Sequence, residues 1–225
     1  MTSAPRTQIL IAIDGPSGSG KSSTSRGVAD VLGLRYLDTG AQFRAMTWAM
    51  LQAGVDVADA AAVASYARTP LIVSGTDPLE PTITVDGVDV SDEIRGEAVT
   101  GAVSPVSAVP EVRSRLLEMQ RSIIGDGAIV VEGRDIGSVV APDADVKVYL
   151  TADAAARAAR RTAEAGGDVA ATRASLLNRD KIDSGRATAP LTMAEGAVHI
   201  DTTDFTLDEV IGQVVALVEA VEAVS

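Results

Sequence analysis

Lys21 and Ser22 close a run, Gly15-Pro16-Ser17-Gly18-Ser19-Gly20-Lys21-Ser22, that fills every fixed position of the phosphate-loop pattern GxxxxGK[ST]. Glycines at these positions let the backbone turn its N–H groups toward bound phosphate, at the positive end of the helix that follows. Lys21 would then reach the outer phosphates of a nucleoside triphosphate, and the Ser22 hydroxyl would ligate Mg²⁺. With Ser23 the candidate ATP-binding stretch is Gly15 to Ser23. A glycine-rich turn without a ligand is the competing reading, but it needs neither a strand before the loop nor a lysine within it.

The flanking residues supply the required context. Gln8 to Ile13 is an apolar, β-branched run that reads as a buried strand. Ser23 to Leu32 can run as a helix despite Gly27 and ends before Gly33. Beyond it, Leu34 to Leu37 reads as a short second strand, followed by helices over Ala41–Gln52 and around Ala58–Ala67. Between Pro70 and Val90 the pattern changes. Leu71-Ile72-Val73 and Thr82-Ile83-Thr84-Val85 are β-type runs with a turn at Asp86-Gly87, which predicts a small inserted antiparallel sheet. Helices follow over Ile94–Val103 and Glu111–Ile124, with Pro110 suited to a first turn. Ala128–Val131 and Val146–Leu150 are continuous apolar runs, as expected of central parallel strands. Ala154–Ala165 reads as a helix stopped by Gly166-Gly167, and residues 168–187 as a polar, arginine-bearing segment. A last strand, Ala197–Ile200, leads into a helix from Leu207. Repeated β-α units predict a mostly parallel sheet flanked by helices.

A phosphate loop alone does not separate kinases from GTPases or mechanical ATPases. Asn178-Arg179-Asp180-Lys181 holds the residue types of a guanine signature in the wrong order. Several arginines instead sit beside acidic or small polar residues near element ends. These are Thr39 with Arg44, Ser104 with Arg113, Arg134 with Asp135, and Arg179 with Asp183 and Arg186. A site that moves a phosphoryl group between two anionic nucleotides needs such guanidinium forks to hold the acceptor and to neutralise transferred charge. Any one of them taken singly would read as a surface salt bridge. Arg157, Arg160 and Arg161 share one helix face. That face fits either an arginine folded over ATP or a solvated basic stripe.

The chain has 225 residues and a formal net charge of −12, which argues against bulk nucleic-acid or anionic-membrane binding. It has no cysteine, so disulfides and thiolate metal sites are excluded. Its one histidine, His199, reads as a strand residue. No signal-peptide pattern or membrane-length apolar stretch is present, and the expectation is a cytoplasmic enzyme.

Taken together, GPSGSGKSS (15–23), LDTGAQFR (37–44), SDEIR (91–95), VPEVRSRLLEMQR (109–121), EGRDIGSVVAPDADVKVYL (132–150), DSGRATAPL (183–191) and HIDTTDFTLDEVI (199–211) resemble bacterial cytidylate kinase. The resemblance runs from about residue 9 to 215. It implies an α/β phosphate-loop kinase, with a mostly parallel sheet, a small antiparallel sheet inserted in the monophosphate-binding region, and a lid. One domain over 1–225 is expected, with core stretches 9–38, 110–165 and 188–225, a monophosphate-binding region over 39–109 and a lid over 166–187. The implied reaction transfers the γ-phosphoryl group of ATP to CMP or dCMP with Mg²⁺, in a monomer. Lys21, Arg134 and Arg186 are the implied catalytic residues. Arg44, Arg134 and Arg186 match residues that grip the acceptor phosphate, Arg179 and Asp183 those that address the ribose, and Ser104, Arg113 and Asp135 those that read cytosine. Thr39 completes the acceptor set. Phe43, Ile182 and Ser138 depart from the family pattern, and none of them removes a required charge. Another kinase of the same fold, or a nucleotide-binding switch that hydrolyses ATP, is the rival reading.

Overall fold

A computed structural model describes residues 8–186 and 189–223. Residues 1–7, Ala187 at the end of the expected lid, Thr188 and the last two residues lie outside the described residues. In chain order the elements are β1 (Leu10–Asp14), α1 (Lys21–Leu32), β2 (Arg35–Asp38), α2 (Thr39–Gln52) and α3 (Ala60–Tyr66). Then come β3 (Ile72–Ser74), β4 (Ile83–Val85), β5 (Val88–Asp89), α4 (Glu97–Ala108) and α5 (Pro110–Ile124). The chain continues with β6 (Ile129–Gly133), β7 (Val146–Thr151), α6 (Ala154–Ala165), α7 (Val169–Ser184), β8 (Val198–Asp201) and α8 (Leu207–Glu222). A 3-10 turn at Glu93–Arg95 precedes α4, and a π-helical turn at Ile136–Val140 follows β6.

Two compact units emerge. One draws on residues up to Tyr36 and from Asp126 onward, and the other is Leu37–Gly125.

In the first unit a five-stranded sheet runs β2-β6-β1-β7-β8. The β1–β6, β1–β7 and β7–β8 pairs are parallel, with Leu10 opposite Ile129 and Asp14 opposite Gly133. All five residues of β6 are buried, as a central strand covered on both faces requires. The core gathers Ile11, Ile13, Val130, Val148 and Leu150 from the strands with Val28 from α1 and Val210, Val214 and Val218 from α8. Gly27 in the middle of α1 has a packing reason. A Cβ there would lie 2.2 Å from Cδ1 of Ile211 on α8, so a larger residue would push the Ile211 side chain out of its present place. α8 opens on a capping box in which Thr206 and Glu209 exchange hydrogen bonds. His199 lies in β8, its Nε2 2.7 Å from Thr151 Oγ1.

The second unit holds the three-stranded antiparallel sheet β3-β4-β5. Asp86 and Gly87, at φ 50° and 83°, turn the chain between β4 and β5 as a two-residue hairpin demands. Its core joins Ile72, Ile83 and Val85 to Met46 and Met50 of α2, Val106 of α4, and Val112 and Leu116 of α5.

Among the elements that differ from the sequence reading, three have clear local causes. α2 begins at Thr39, two residues early, because the Asp38 side chain caps it by accepting from Ala41 N–H at 2.9 Å. α4 runs on through Pro105 to Ala108; Pro105 is exposed while Val103 and Val106 on the buried face keep the helix docked. Residues 169–184, read only as part of a polar, arginine-bearing segment with no element assigned, form α7, capped by Asp168 accepting from Ala171 N–H at 2.8 Å. Among the described residues no helix is long and apolar enough to cross a membrane.

Candidate active site

The phosphate loop links β1 to α1. Gly15 has φ 149°, and a Cβ there would lie 2.0 Å from the Leu150 carbonyl oxygen, so the loop leaves the sheet through a gap that only glycine fits. α1 then starts with Gly20 at its N-cap, with no side-chain cap and no acid in its first turn. Its positive dipole end favours an anion at the loop. Lys21 is buried and donates from Nζ to the Pro16 carbonyl at 2.8 Å, which lays its ammonium along the loop. Ser22 and Ser23 are exposed, and Ser22 Oγ donates to Glu132 Oε2 at 3.1 Å. Glu132, buried near the end of β6, is held on its other oxygen by the Tyr36 hydroxyl.

Behind the loop stand two arginines of α6. Arg157 is buried; it donates from Nη1 to the Ser17 carbonyl at 3.1 Å and pairs with Asp180 of α7 at 2.6 Å. Arg160 donates to the Thr202 hydroxyl at 2.9 Å and to the Thr202 carbonyl at 2.6 Å. Thr202 in turn donates to the Ser19 carbonyl. Neither arginine belongs to a solvated stripe. Both brace the loop from within the protein, while Arg161 is half-buried and partnered.

The arginines expected to meet an acceptor divide between the two units. In the first, Asp183 near the end of α7 accepts from Arg134 Nε at 3.1 Å through one oxygen and pairs with Arg186 Nη2 at 3.0 Å through the other. Arg134 directly follows β6, so this cluster lies beyond the carboxyl end of a central strand, where such sheets bind ligands. Arg179 adds a guanidinium whose Nε is buried without a partner among the described residues. Burial first, and the nearby charge of Arg134 second, pull its pKa below the usual arginine value. An excess of cations with an unmatched donor is what an anionic ligand would complete. Asp135 is buried beside this cluster in the sequence, at the mouth of the π-helical turn.

The second unit carries Thr39, Arg44, Ser104 and Arg113. Arg44 Nη1 donates to the Ile94 carbonyl at 3.1 Å and to Thr100 Oγ1 at 3.0 Å. Arg113 donates from Nη1 to the Ser107 carbonyl at 3.2 Å, and its guanidinium carbon lies 5.3 Å from the centre of the Phe43 ring. The phenyl face there orients the cation, which accounts for an aromatic ring at position 43 without its hydroxyl. Ser104 is buried on α4 and accepts from Ser107 Oγ through its carbonyl at 2.9 Å.

A family model described as cytidylate kinase matches residues 11–220. The chain belongs to the cytidylate kinase family. It is 59% identical over 217 residues to a cytidylate kinase of Streptomyces griseus, covering 95% of this chain and 94% of that one. A cytidylate kinase of Streptomyces coelicolor is 60% identical over 214 residues, covering 94% and 93% of the two chains. Among solved structures, an uncharacterized protein from Eubacterium ventriosum shares the fold at TM-score 0.53 and 12% identity, covering 95% of this chain and 99% of that one.

Family membership implies a divalent metal, and the residues present fit one. Hard cations take oxygen ligands, and in phosphate-loop enzymes a loop hydroxyl and a carboxylate on the neighbouring strand share the ion with the phosphates. Ser22 Oγ and the Glu132 carboxylate are a hydroxyl and a carboxylate of those two types, in hydrogen-bond contact at 3.1 Å. No cluster of three or more His, Cys, Asp or Glu side chains that could hold a metal is present among the described residues.

Two carboxylates matter here that the motif reading did not single out. Glu132 was visible only as the residue before Gly133-Arg134. Asp14 lies immediately before the phosphate loop and is 3% exposed. Burial, opposed by hydrogen bonds from Gly137 and Ile136, raises its pKa from 3.8 to about 6. The folded protein therefore holds this proton more tightly than the unfolded chain. Asp14's contribution to stability is complete below pH 3.8 and fades as pH rises through about 6. Asp14→Asn removes that term. The slope of unfolding free energy against pH in this window should become more positive, by up to about 1.4 kcal/mol per pH unit. Urea unfolding at several pH values measures the slope, and an unchanged slope contradicts the raised pKa.

Proposed function

We propose that this chain transfers the γ-phosphoryl group of ATP to CMP or dCMP, giving ADP and CDP or dCDP. The observation that carries the reading is a second arginine-rich constellation, Arg134–Asp183–Arg186 with Arg179, whose Nε has no partner among the described residues, in the unit that also holds the phosphate loop. An enzyme that only hydrolysed ATP would need the loop and not the cluster.

Lys21 would neutralise charge on the transferring phosphoryl group, and Arg134 and Arg186 would hold the acceptor phosphate in line. Arg44 is assigned to the same phosphate, and Arg179 with Asp183 to the ribose. Ser22 and Glu132 would hold Mg²⁺, which would supply neutralisation of phosphate charge. Phosphoryl transfer needs no covalent intermediate, so catalysis here is positioning and electrostatics.

The base is assigned to Ser104, Arg113 and Asp135. Cytosine presents an exocyclic amine that donates, with a ring nitrogen and a carbonyl that accept. A buried Asp135 carboxylate accepts from the amine, and Arg113 donates to the acceptors. Uracil would set a carbonyl against the carboxylate, and a buried polar site rejects such a mismatch strongly.

ADP formation with CMP, dCMP, UMP, AMP and no acceptor tests the whole assignment. Release should depend on CMP or dCMP and be weak with UMP or AMP. Equal ADP release without any monophosphate would sink the kinase reading.

A further inference from the structure

Asp14 closes β1 one residue before the phosphate loop, yet its side chain does not serve that loop. Oδ1 accepts from the backbone N–H of Ile136 at 2.8 Å, and Oδ2 from that of Gly137 at 2.8 Å. These are the first N–H groups of the π-helical turn, and the leading N–H groups of any helix lack partners within it. The residue immediately before is Asp135, whose carbonyl accepts from Val139 N–H at 2.9 Å and Val140 N–H at 3.2 Å. The turn is thus closed on Asp135 from one side and pinned by Asp14 from the other.

An ionised carboxylate is costly to bury, and this one also faces the negative charge of Asp135. The other charged or titratable groups that face it are Lys21, which attracts it, and the Tyr149 hydroxyl. Only a group with two acceptor oxygens can satisfy both N–H groups. An amide of the same shape offers one oxygen and turns an NH₂ against the other donor.

We propose that Asp14 is a positioning residue for base selection: its carboxylate fixes the Ile136–Gly137 backbone and thereby aims Asp135 at the cytosine amine. The proposal rests on the assignment of Asp135 to the base. It adds a residue from the donor-nucleotide side of the fold to the machinery that selects the acceptor.

The test compares Asp14→Asn, Asp135→Asn and the double variant by kcat and KM for CMP, UMP and ATP. In Asp14→Asn the CMP-to-UMP ratio of kcat/KM should fall about tenfold, the size expected from a lost charge-assisted hydrogen bond. KM for CMP should rise while KM for ATP stays near that of the parent. In the double variant the ratio should match Asp135→Asn alone, because Asp14 acts through Asp135. A normal ratio in Asp14→Asn beside a reduced one in Asp135→Asn overturns the positioning role and leaves the base reading intact. An unchanged ratio in Asp135→Asn overturns the base reading and the positioning role with it. A rise in KM for ATP as large as that for CMP also overturns the proposal, since Asp14 would then act through the phosphate loop. Should Asp14→Asn fail to fold, amide exchange in the parent protein decides. Slow exchange at Ile136 and Gly137 without nucleotide is expected, and exchange at the rate of unstructured amides overturns the proposal.

Discussion

Lys21→Ala lowers kcat by about a hundredfold or more, while the dissociation constant for CMP moves by less than about twofold. The ammonium is buried and tied to the Pro16 carbonyl at 2.8 Å, so it costs no reorganisation when charge shifts onto the transferring oxygens. Truncation removes a contact whose value is greatest in the transition state, so rate suffers more than ground-state affinity. Steady-state turnover and calorimetric titration with CMP check the two halves separately. Near-parental turnover in a folded Lys21→Ala protein contradicts the role. Loss of CMP affinity equal to the loss of rate would place Lys21 at the acceptor instead.

Arg186→Ala should lower kcat by about a hundredfold or more as well, because it removes charge compensation at the acceptor phosphate. Its signature differs from that of Lys21. Arg186 shares the Asp183 carboxylate with Arg134, and both members of the Arg186–Asp183 pair are buried. Truncation leaves one Asp183 oxygen without its cation while Arg134 stays on the other, so stability falls, though by less than the loss of a sole buried partner would cost. KM for CMP should therefore rise together with the fall in kcat, and the melting temperature should drop. Arg186→Lys keeps the charge but loses the planar fork, so it recovers only part of the activity. Turnover and KM near parental values in Arg186→Ala would make the end of α7 a surface feature.

The phosphate loop could be read from the sequence because its chemistry needs fixed spacing over eight consecutive residues, between a strand and a helix. The central strand β6 was legible for a related reason, whereas β7 alternates buried Val146, Val148 and Leu150 with half-buried Lys147, Tyr149 and Thr151. Burial on both faces forces an unbroken apolar run, as in Ile129-Val130-Val131. α7 escaped because its apolar signal nearly vanishes. Of its hydrophobic residues Leu176 alone is buried, while Val169, Leu177 and Ile182 are exposed. The Asp168 cap and an uninterrupted stretch without glycine or proline were the remaining clues. Arg157 was recognised as one of a helical set, but not its task, since bracing the Ser17 carbonyl depends on a contact between distant parts of the chain. Asp14 and Glu132 belong to the same class. A lone carboxylate carries no local pattern, and its meaning appears only when Ile136, Gly137, Tyr36 and Ser22 arrive around it.

The strand order has a consequence for how the chain acquires its activity. β1 emerges first during synthesis, yet both of its neighbours, β6 and β7, lie more than a hundred residues downstream. The phosphate loop therefore spends most of translation attached to an unpaired strand. By contrast, Leu37–Gly125 makes its sheet and core from residues close in sequence and can close early. Nucleotide binding becomes possible only near the end of folding, when the most distant pairings form. A nascent chain halted before β6 would hold a structured middle and a phosphate-loop strand with neither of its neighbours.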